Sequence, residues 1–167
     1  GGASRITSPN AGVQFDQTLD GTQNLTLIAG GNLTFNGRVG GLSALGALSL
    51  TAANLEGIET WQMASLFVDM SGMSTFRNNV ETTGLDGITL QSMGGIVLDG
   101  LSMQALNNGV VLVQNAVTLS GSDVLLEAQG SGDVTLQQID GEQALTLNAD
   151  TGNLYLQAAI GGIAGVG

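Results

Sequence analysis

Apolar and polar residues alternate along this chain in short units, separated by Gly, Asn, Asp and Ser. Such units recur at short and fairly even intervals from Val13-Gln14-Phe15 through Leu25-Thr26-Leu27 to Leu154-Tyr155-Leu156. A period of two is typical of strands that bury one face, and helical periodicity is nearly absent. The pattern therefore predicts an all-β protein made of very short strands.

Four Asp-Gly steps supply turn chemistry between these units. Asp favours tight local hydrogen bonding and Gly accepts positive φ, so each step is interpreted as a turn and its aspartate as a turn former. The steps are Asp20-Gly21, Asp86-Gly87, Asp99-Gly100 and Asp140-Gly141.

Strands this short need stacking, because a hairpin made of two of them is marginal even with good turns. In a parallel β-solenoid the strands stack rung on rung, and the inward residues form continuous aliphatic ladders. At roughly 20 to 27 residues per rung the chain would form about six to eight rungs, with Thr, Ser and Gln in outer ladders. We therefore predict a parallel β-helix, right-handed by the general preference for right-handed crossovers.

The ranges 20–41 and 140–162 repeat each other. Asp20 to Leu27 matches Asp140 to Leu147 at a constant offset, and after a slip of one position 39–41 matches 160–162. The chain thus holds about one long period and the start of a second. We expect residues 1–167 to be a single β-solenoid segment of a longer repetitive chain.

Residues 55–79 are the least regular stretch, and we expect broader rungs or a loop over the solenoid face there. Trp61 lies in this stretch with Met63 and Phe67. Aromatic residues are enriched at interfaces, so these three side chains could form an exposed ligand-binding patch. The favoured interpretation is that Trp61 fills a wide rung or caps a core end.

Composition narrows the chemistry open to such a rod. The chain has three basic residues, all Arg, and fourteen acidic residues, which give a net charge of −11. It contains no His and no Cys. This balance argues against binding nucleic acid or an anionic membrane surface. The usual zinc ligands, the Ser-His-Asp and Cys-His nucleophile systems, and disulfides are all ruled out. No apolar run approaches the roughly 20 residues of a membrane span, so we expect no direct membrane insertion.

Carboxylate catalysis is the remaining enzymatic alternative, because parallel β-helices also host polysaccharide-acting enzymes. Glycoside cleavage needs two carboxylates about 5 to 9.5 Å apart, usually beside aromatic platforms, and the chain has one Trp, one Tyr and four Phe. A lyase would want basic residues, and only Arg5, Arg38 and Arg77 are present. We expect no enzyme, and no catalytic or cofactor-binding residues.

Metal binding is the other chemical alternative. The Gly-Gly-x-Gly-x-Asp phrase of calcium-binding β-rolls is missing, and no EF-hand spacing occurs. We expect no dedicated metal site. One adventitious calcium ion at stacked turns, involving Asp123 and Asp133, stays open as an alternative.

Several phrases resemble a repeat of very large bacterial exoproteins, the filamentous-haemagglutinin-like adhesins and autotransporter passengers. They are 31–41 with its continuation 45–53, then 57–61, 115–119 and 140–162. The resemblance implies a right-handed parallel β-helix, a secreted or cell-surface location in a Gram-negative-type bacterium, and a role as an adhesin stalk or matrix protein. It implies no catalytic residues, and the absence of Cys agrees with it.

Two functions follow from these expectations. In the first, the segment is a spacer or adhesive rod whose partners are neighbouring solenoid segments, with host-surface or matrix glycans or proteins as further candidates. In the second, the segment assembles end to end through its rung edges into a filament or surface matrix.

Overall fold

The structure, a computed structural model, describes residues 2–161, which fold into short strands joined by turns. No helix occurs among these residues, and therefore none with the length and apolar character of a membrane-spanning helix. In chain order the strands are β1 (Ser4–Ser8), β2 (Val13–Phe15), β3 (Leu25–Ala29), β4 (Leu33–Phe35), β5 (Leu45–Ala52), β6 (Leu55–Gly57), β7 (Trp61–Met70), β8 (Ser74–Phe76), β9 (Val80–Thr82), β10 (Ile88–Ser92), β11 (Ile96–Asp99), β12 (Ser102–Ala105), β13 (Val111–Val113), β14 (Val117–Ser120), β15 (Val124–Ala128), β16 (Val134–Leu136), β17 (Ile139–Asp140), β18 (Leu145–Asn148) and β19 (Leu154–Leu156).

The strands stack into three faces, and all the strand pairs are parallel. Face A contains β1, β3, β5, β7, β10, β13, β16 and β19, and face B contains β2, β4, β6, β8, β11, β14 and β17. Face C consists of the first part of β7 with β9, β12, β15 and β18. In the first rungs face C is reduced to isolated bridges from Leu19 to Val39 and from Val39 to Trp61.

The predicted parallel β-solenoid is confirmed, with about seven turns. On face A the successive partners are Leu25, Leu48, Leu66, Ile88 and Val111. The rung from Leu48 to Leu66 is shorter than the expected range, and the other three rungs fall in the lower half of that range. The right-handed sense of the coil stays a prediction.

Alternation within each strand builds the core and the outer ladders. One inward ladder on face A is fully buried at 0% exposure and consists of Leu27, Leu50, Val68, Leu90, Val113 and Leu136. Each such side chain contributes roughly 1.5 to 3 kcal/mol by leaving water. The outward positions between them carry Thr26, Ser49 and Thr89, as the period of two predicts.

Residues 55–79 form neither a loop nor a broader rung, but the rung here is irregular in being short. This stretch forms β6, β7 and β8, and β7 is the longest strand, with 10 residues. The rung from Leu48 to Leu66 is the shortest on face A. The alternation shifts phase at Ala64 and Ser65, where β7 passes from face C to face A, and this shift makes the stretch look irregular in the sequence.

The two copies of the internal repeat share a local backbone but lie on different faces. Gly21 and Gly141 have φ of 135° and 136°, which matches their equivalent places in the repeat. Leu25 nevertheless lies on face A, paired with Leu48, whereas its counterpart Leu145 lies on face C, paired with Val124. The offset between the copies corresponds to five rungs and two further faces. Gly162, the last residue of the repeat, lies outside the described residues.

Candidate functional site

The aromatic residue suggested for a ligand patch belongs to the core. Trp61 is 1% exposed and Met63 is fully buried, so the exposed patch of Trp61, Met63 and Phe67 does not form. The indole lies in a row of inward rings, 4.8 Å from Phe35 and 5.5 Å from Phe76 between centroids. Phe67 alone of the three projects outward, because β7 shifts phase between Met63 and Phe67.

The four Asp-Gly steps differ in structure: Asp86 lies in a turn, as predicted, whereas Asp99 and Asp140 are the last residues of strands β11 and β17. Gly21, Gly87, Gly100 and Gly141 all have positive φ. Asp20 also connects neighbouring rungs: its carboxylate accepts hydrogen bonds from the backbone N–H groups of Leu42 at 2.8 Å and Ser43 at 3.3 Å. The carboxylate thereby holds the loop of the next rung in place.

The two aspartates considered for calcium are placed apart. Asp123 directly precedes β15, whereas Asp133 lies in the loop that follows β15, so the two residues occupy different corners of one rung. Asp133 accepts hydrogen bonds from the backbone N–H of Asn153 at 2.7 Å and from its side-chain amide at 3.0 Å. Across residues 2–161 no group of three or more acidic side chains is arranged to hold a metal ion.

Face C carries an outward ladder in which amides alternate with carboxylates. Its members in register are Gln62, Glu81, Gln104, Glu127 and Asn148. Glu127 accepts a hydrogen bond from the Gln104 amide at 2.5 Å and another from the Asn148 amide at 2.8 Å. Placing amides between the two glutamates separates like charges that would repel each other on adjacent strands.

Arg77 connects three successive rungs near face B. Its guanidinium donates to Asp99 at 2.6 Å and to Glu56 at 3.3 Å, and all three side chains are partly exposed. Arg38 makes a longer contact of 3.9 Å with Glu59. These ion pairs are part of the stacking of the rungs, and both basic side chains are directed at carboxylates of the chain itself.

The side chain of Asp16 is held by two amide groups. Hydrogen bonds from the Gln14 and Asn36 side chains lower the pKa of Asp16 below its ordinary value of 3.8, because both amides stabilise the charged form. A lowered pKa keeps Asp16 ionised. It is the opposite of the raised pKa that a general acid of a glycosidase needs.

The surface carries shallow depressions. One of about 330 Å³ is lined by Asn32, Asn54, Glu56 and Met73, beside the corner between faces A and B. Another of about 240 Å³ lies on face C and is lined by residues that include Arg38, Gln62, Glu81 and Gln104. In both, the polar groups are the same ones that form ladders between rungs, so the outer surface of the solenoid is itself the candidate functional site.

Comparison with protein-family models, with curated proteins and with solved structures finds no match to this chain.

Proposed function

We propose that this chain is a structural and adhesive rod segment of a large secreted bacterial surface protein, with no catalysis. The observation that carries the proposal is the stack of about seven parallel turns, in register along faces A and B throughout and along face C from β7 onward. Such a stack extends in one direction, and each rung contacts chiefly its neighbours. This is the mechanical form that a stalk requires.

The use of the polar side chains supports a structural role. Ladders such as Gln104, Glu127 and Asn148, or Glu56, Arg77 and Asp99, satisfy polar groups between neighbouring rungs. Functional groups of an enzyme converge instead on one concave site. The proposed partners are neighbouring solenoid segments, with glycans or proteins of a host surface or matrix in contact with the outer faces.

A whole-rung deletion tests the rod proposal. Removing residues 88–110 joins Gly87 to Val111, which is the register partner of Ile88, so the remaining rungs can restack. We expect a folded rod shortened by about 4.8 Å that still binds whatever surface the full segment binds. The matched control removes only the range 88–98, which breaks the register and should prevent folding. Complete loss of surface binding in the folded whole-rung variant would contradict a distributed rod.

Electron microscopy with and without calcium, and incubation with polysaccharides, test the rest of the proposal. Short rods that are indifferent to calcium and release no reducing or unsaturated sugar ends are the expected result. Calcium-dependent assembly or sugar release would instead indicate a metal site or an enzyme.

End-to-end assembly is a second candidate, favoured by the outermost strands. Within the described residues β1 and β19 each pair with a strand on one side only. Leu154 and Leu156 of β19 are 48% and 47% exposed, although their counterparts in earlier rungs are buried. An edge of this kind can template another strand. Rods that lengthen with concentration, and stop doing so in Leu156→Lys, would support this candidate over a monomeric spacer.

A further inference from the structure

Charged side chains are distributed unevenly around the axis of the solenoid. The chain has 14 acidic and 3 basic residues. Among residues 2–161, Arg5 and Asp69 are the only charged residues whose side chains project outward from the strands of face A. The other outward positions on these strands include Thr7, Thr26, Ile28, Ser49, Thr51, Phe67, Thr89, Gln91, Leu112, Thr135 and Tyr155.

The corner between faces A and B extends this uncharged region. The connections there are 9–12, 30–32, 53–54, 71–73, 93–95, 114–116 and 137–138, and none of them contains a charged residue. We call the outward residues of face A together with this corner the neutral surface. Its exposed apolar side chains include Phe67 at 42% and Met93 at 73% exposure.

The remaining acidic residues lie on faces B and C and at the other two corners. Glu56 is on face B, Glu81 and Glu127 are on face C, and Asp86 and Asp133 are in the loops between faces C and A. Contact between two copies through these surfaces would bring carboxylates against carboxylates. With a net charge of −11 on each copy, such contacts are disfavoured.

We propose that the neutral surface pairs side by side with the same surface of a second copy of this chain. Pairing through it places the acidic faces of both rods outward, and the two charged residues it covers, Arg5 and Asp69, have opposite signs. The proposal does not depend on the role in bacterial adhesion, since it concerns the surface of the rod alone.

Face A and the corner beside it offer an area that suits such a pair. The eight strands of face A span about 34 Å along the axis at roughly 4.8 Å spacing; the first five are about 16 Å wide, and the last three, with three residues each, are about 10 Å wide. Face A alone would then bury about 480 Å² per copy, or about 950 Å² in total. This value is close to the roughly 1,000 Å² expected of a specific interface, and the corner between faces A and B adds to it.

A depression and an exposed apolar side chain lie next to each other on the neutral surface. A depression of about 360 Å³ lined by Ala29, Ala52, Ala53 and Asp69 lies beside the protruding Met93. A two-fold axis would let each copy offer one apolar side chain and one shallow depression to the other. The half-buried Leu112 and Ile28 provide further apolar contact area on the same face.

A pair of matched variants tests the proposal. Leu112 on face A and Val97 on face B are both aliphatic and half-buried, and each is flanked in register by two threonines. Sedimentation velocity over a concentration series should show a dimer for the unaltered chain and for Val97→Glu. Leu112→Glu should raise the dissociation constant about tenfold or more, because it buries an unpaired carboxylate in the interface. Added salt should strengthen the dimer by screening repulsion between the acidic rods.

A second pair covers the case in which a strand variant misfolds, which circular dichroism would reveal. The pair is Met93→Glu and Leu85→Glu. Met93 lies on the neutral surface and Leu85 in a loop between faces C and A, and the two side chains are similarly exposed, at 73% and 71%. Only Met93→Glu should weaken the dimer.

Three results would overturn the proposal. The first is that the chain stays monomeric at every concentration and salt level. The second is that both variants of a matched pair weaken the dimer equally. The third is that the rods assemble without limit and that Leu112→Glu does not change this assembly. A fourth result would also contradict it: a monomer that binds a neutral polysaccharide, with binding abolished by Leu112→Glu. The occupant of the neutral surface would then be a polysaccharide and not a second copy.

Discussion

Gly57 lies directly against the indole of Trp61, so that a Cβ on Gly57 would stand 2.8 Å from the indole Cζ2 atom. Gly57 is on face B and Trp61 begins β7, so the contact joins two faces across the core. Glycine is therefore required here by close approach of a large ring, and the ring is fixed between Phe35 and Phe76.

Gly57→Ala should destabilise the fold by about 1 to 3 kcal/mol, because an added methyl group overpacks a dense core. Urea unfolding followed by Trp61 fluorescence measures the loss. In a Trp61→Leu background, monitored by circular dichroism, the same substitution should cost much less, since the clashing atoms are gone. An equal cost in both backgrounds would show that the strain at Gly57 comes from somewhere other than the indole.

Ser74 and Ser92 share a buried hydrogen bond, with 2.5 Å between their Oγ atoms and no exposure of either residue. Replacing one serine by alanine leaves the other hydroxyl unpaired and should cost about 1 to 3 kcal/mol. The double variant Ser74→Ala with Ser92→Ala should cost clearly less than the two single losses together. Additive losses in chemical denaturation would contradict the assignment of a shared bond.

Arg77→Met should reduce stability only slightly, by about 0.2 to 1 kcal/mol, because the ion pairs with Glu56 and Asp99 are partly exposed. The loss should shrink as salt is added. Arg38→Met is the control, since its contact with Glu59 is longer, at 3.9 Å, and should matter less. If thermal unfolding shows a larger loss for Arg38→Met, the three-residue bridge is not a stabilising feature.

The pKa of Asp16 should depend on the two side-chain amides that donate hydrogen bonds to its carboxylate. The pKa of Asp16 lies below 3.8 because the Gln14 and Asn36 side chains stabilise the carboxylate. A group with a lowered folded pKa stabilises the fold above its unfolded pKa, and this stabilisation is lost as the pH falls through the folded pKa. Gln14→Leu with Asn36→Leu should raise the pKa of Asp16 toward 3.8, as followed by NMR of the carboxyl carbon. The part of the stability difference that comes from ionisation of Asp16 should then vanish in strong acid. An unchanged pKa would contradict the assigned hydrogen bonds.

Alternation of residue types was enough to predict the local structure. Leu25 and Leu27 face inward because strand residues alternate sides, and Gly21 and Gly141 adopt the same φ because their neighbours in sequence are the same. These properties depend on a few adjacent residues. The pattern of the sequence therefore determines them without knowledge of the fold.

Properties that depend on rung length could not be predicted in this way. The face on which Leu145 lies, and the gathering of charge away from face A, follow from a sum of rung lengths that differ from one rung to the next. Trp61 was hard to place for a related reason, since β7 turns a corner and shifts its alternation within one strand. Each of these features can be recognised only when the register of the strands is known.

The register of the solenoid is the central claim, and engineered cysteine pairs test it most directly because the chain contains no cysteine of its own. Thr26 and Ser49 are direct partners on neighbouring rungs, at a separation of about 4.8 Å that suits a disulfide. Thr26 and Thr89 are on the same face but three rungs apart, or roughly 14 Å.

We predict rapid intramolecular disulfide formation in Thr26→Cys with Ser49→Cys, and none in Thr26→Cys with Thr89→Cys. Equal rates for the two pairs, or a disulfide formed only by the second, would contradict the stacked register on which the account rests.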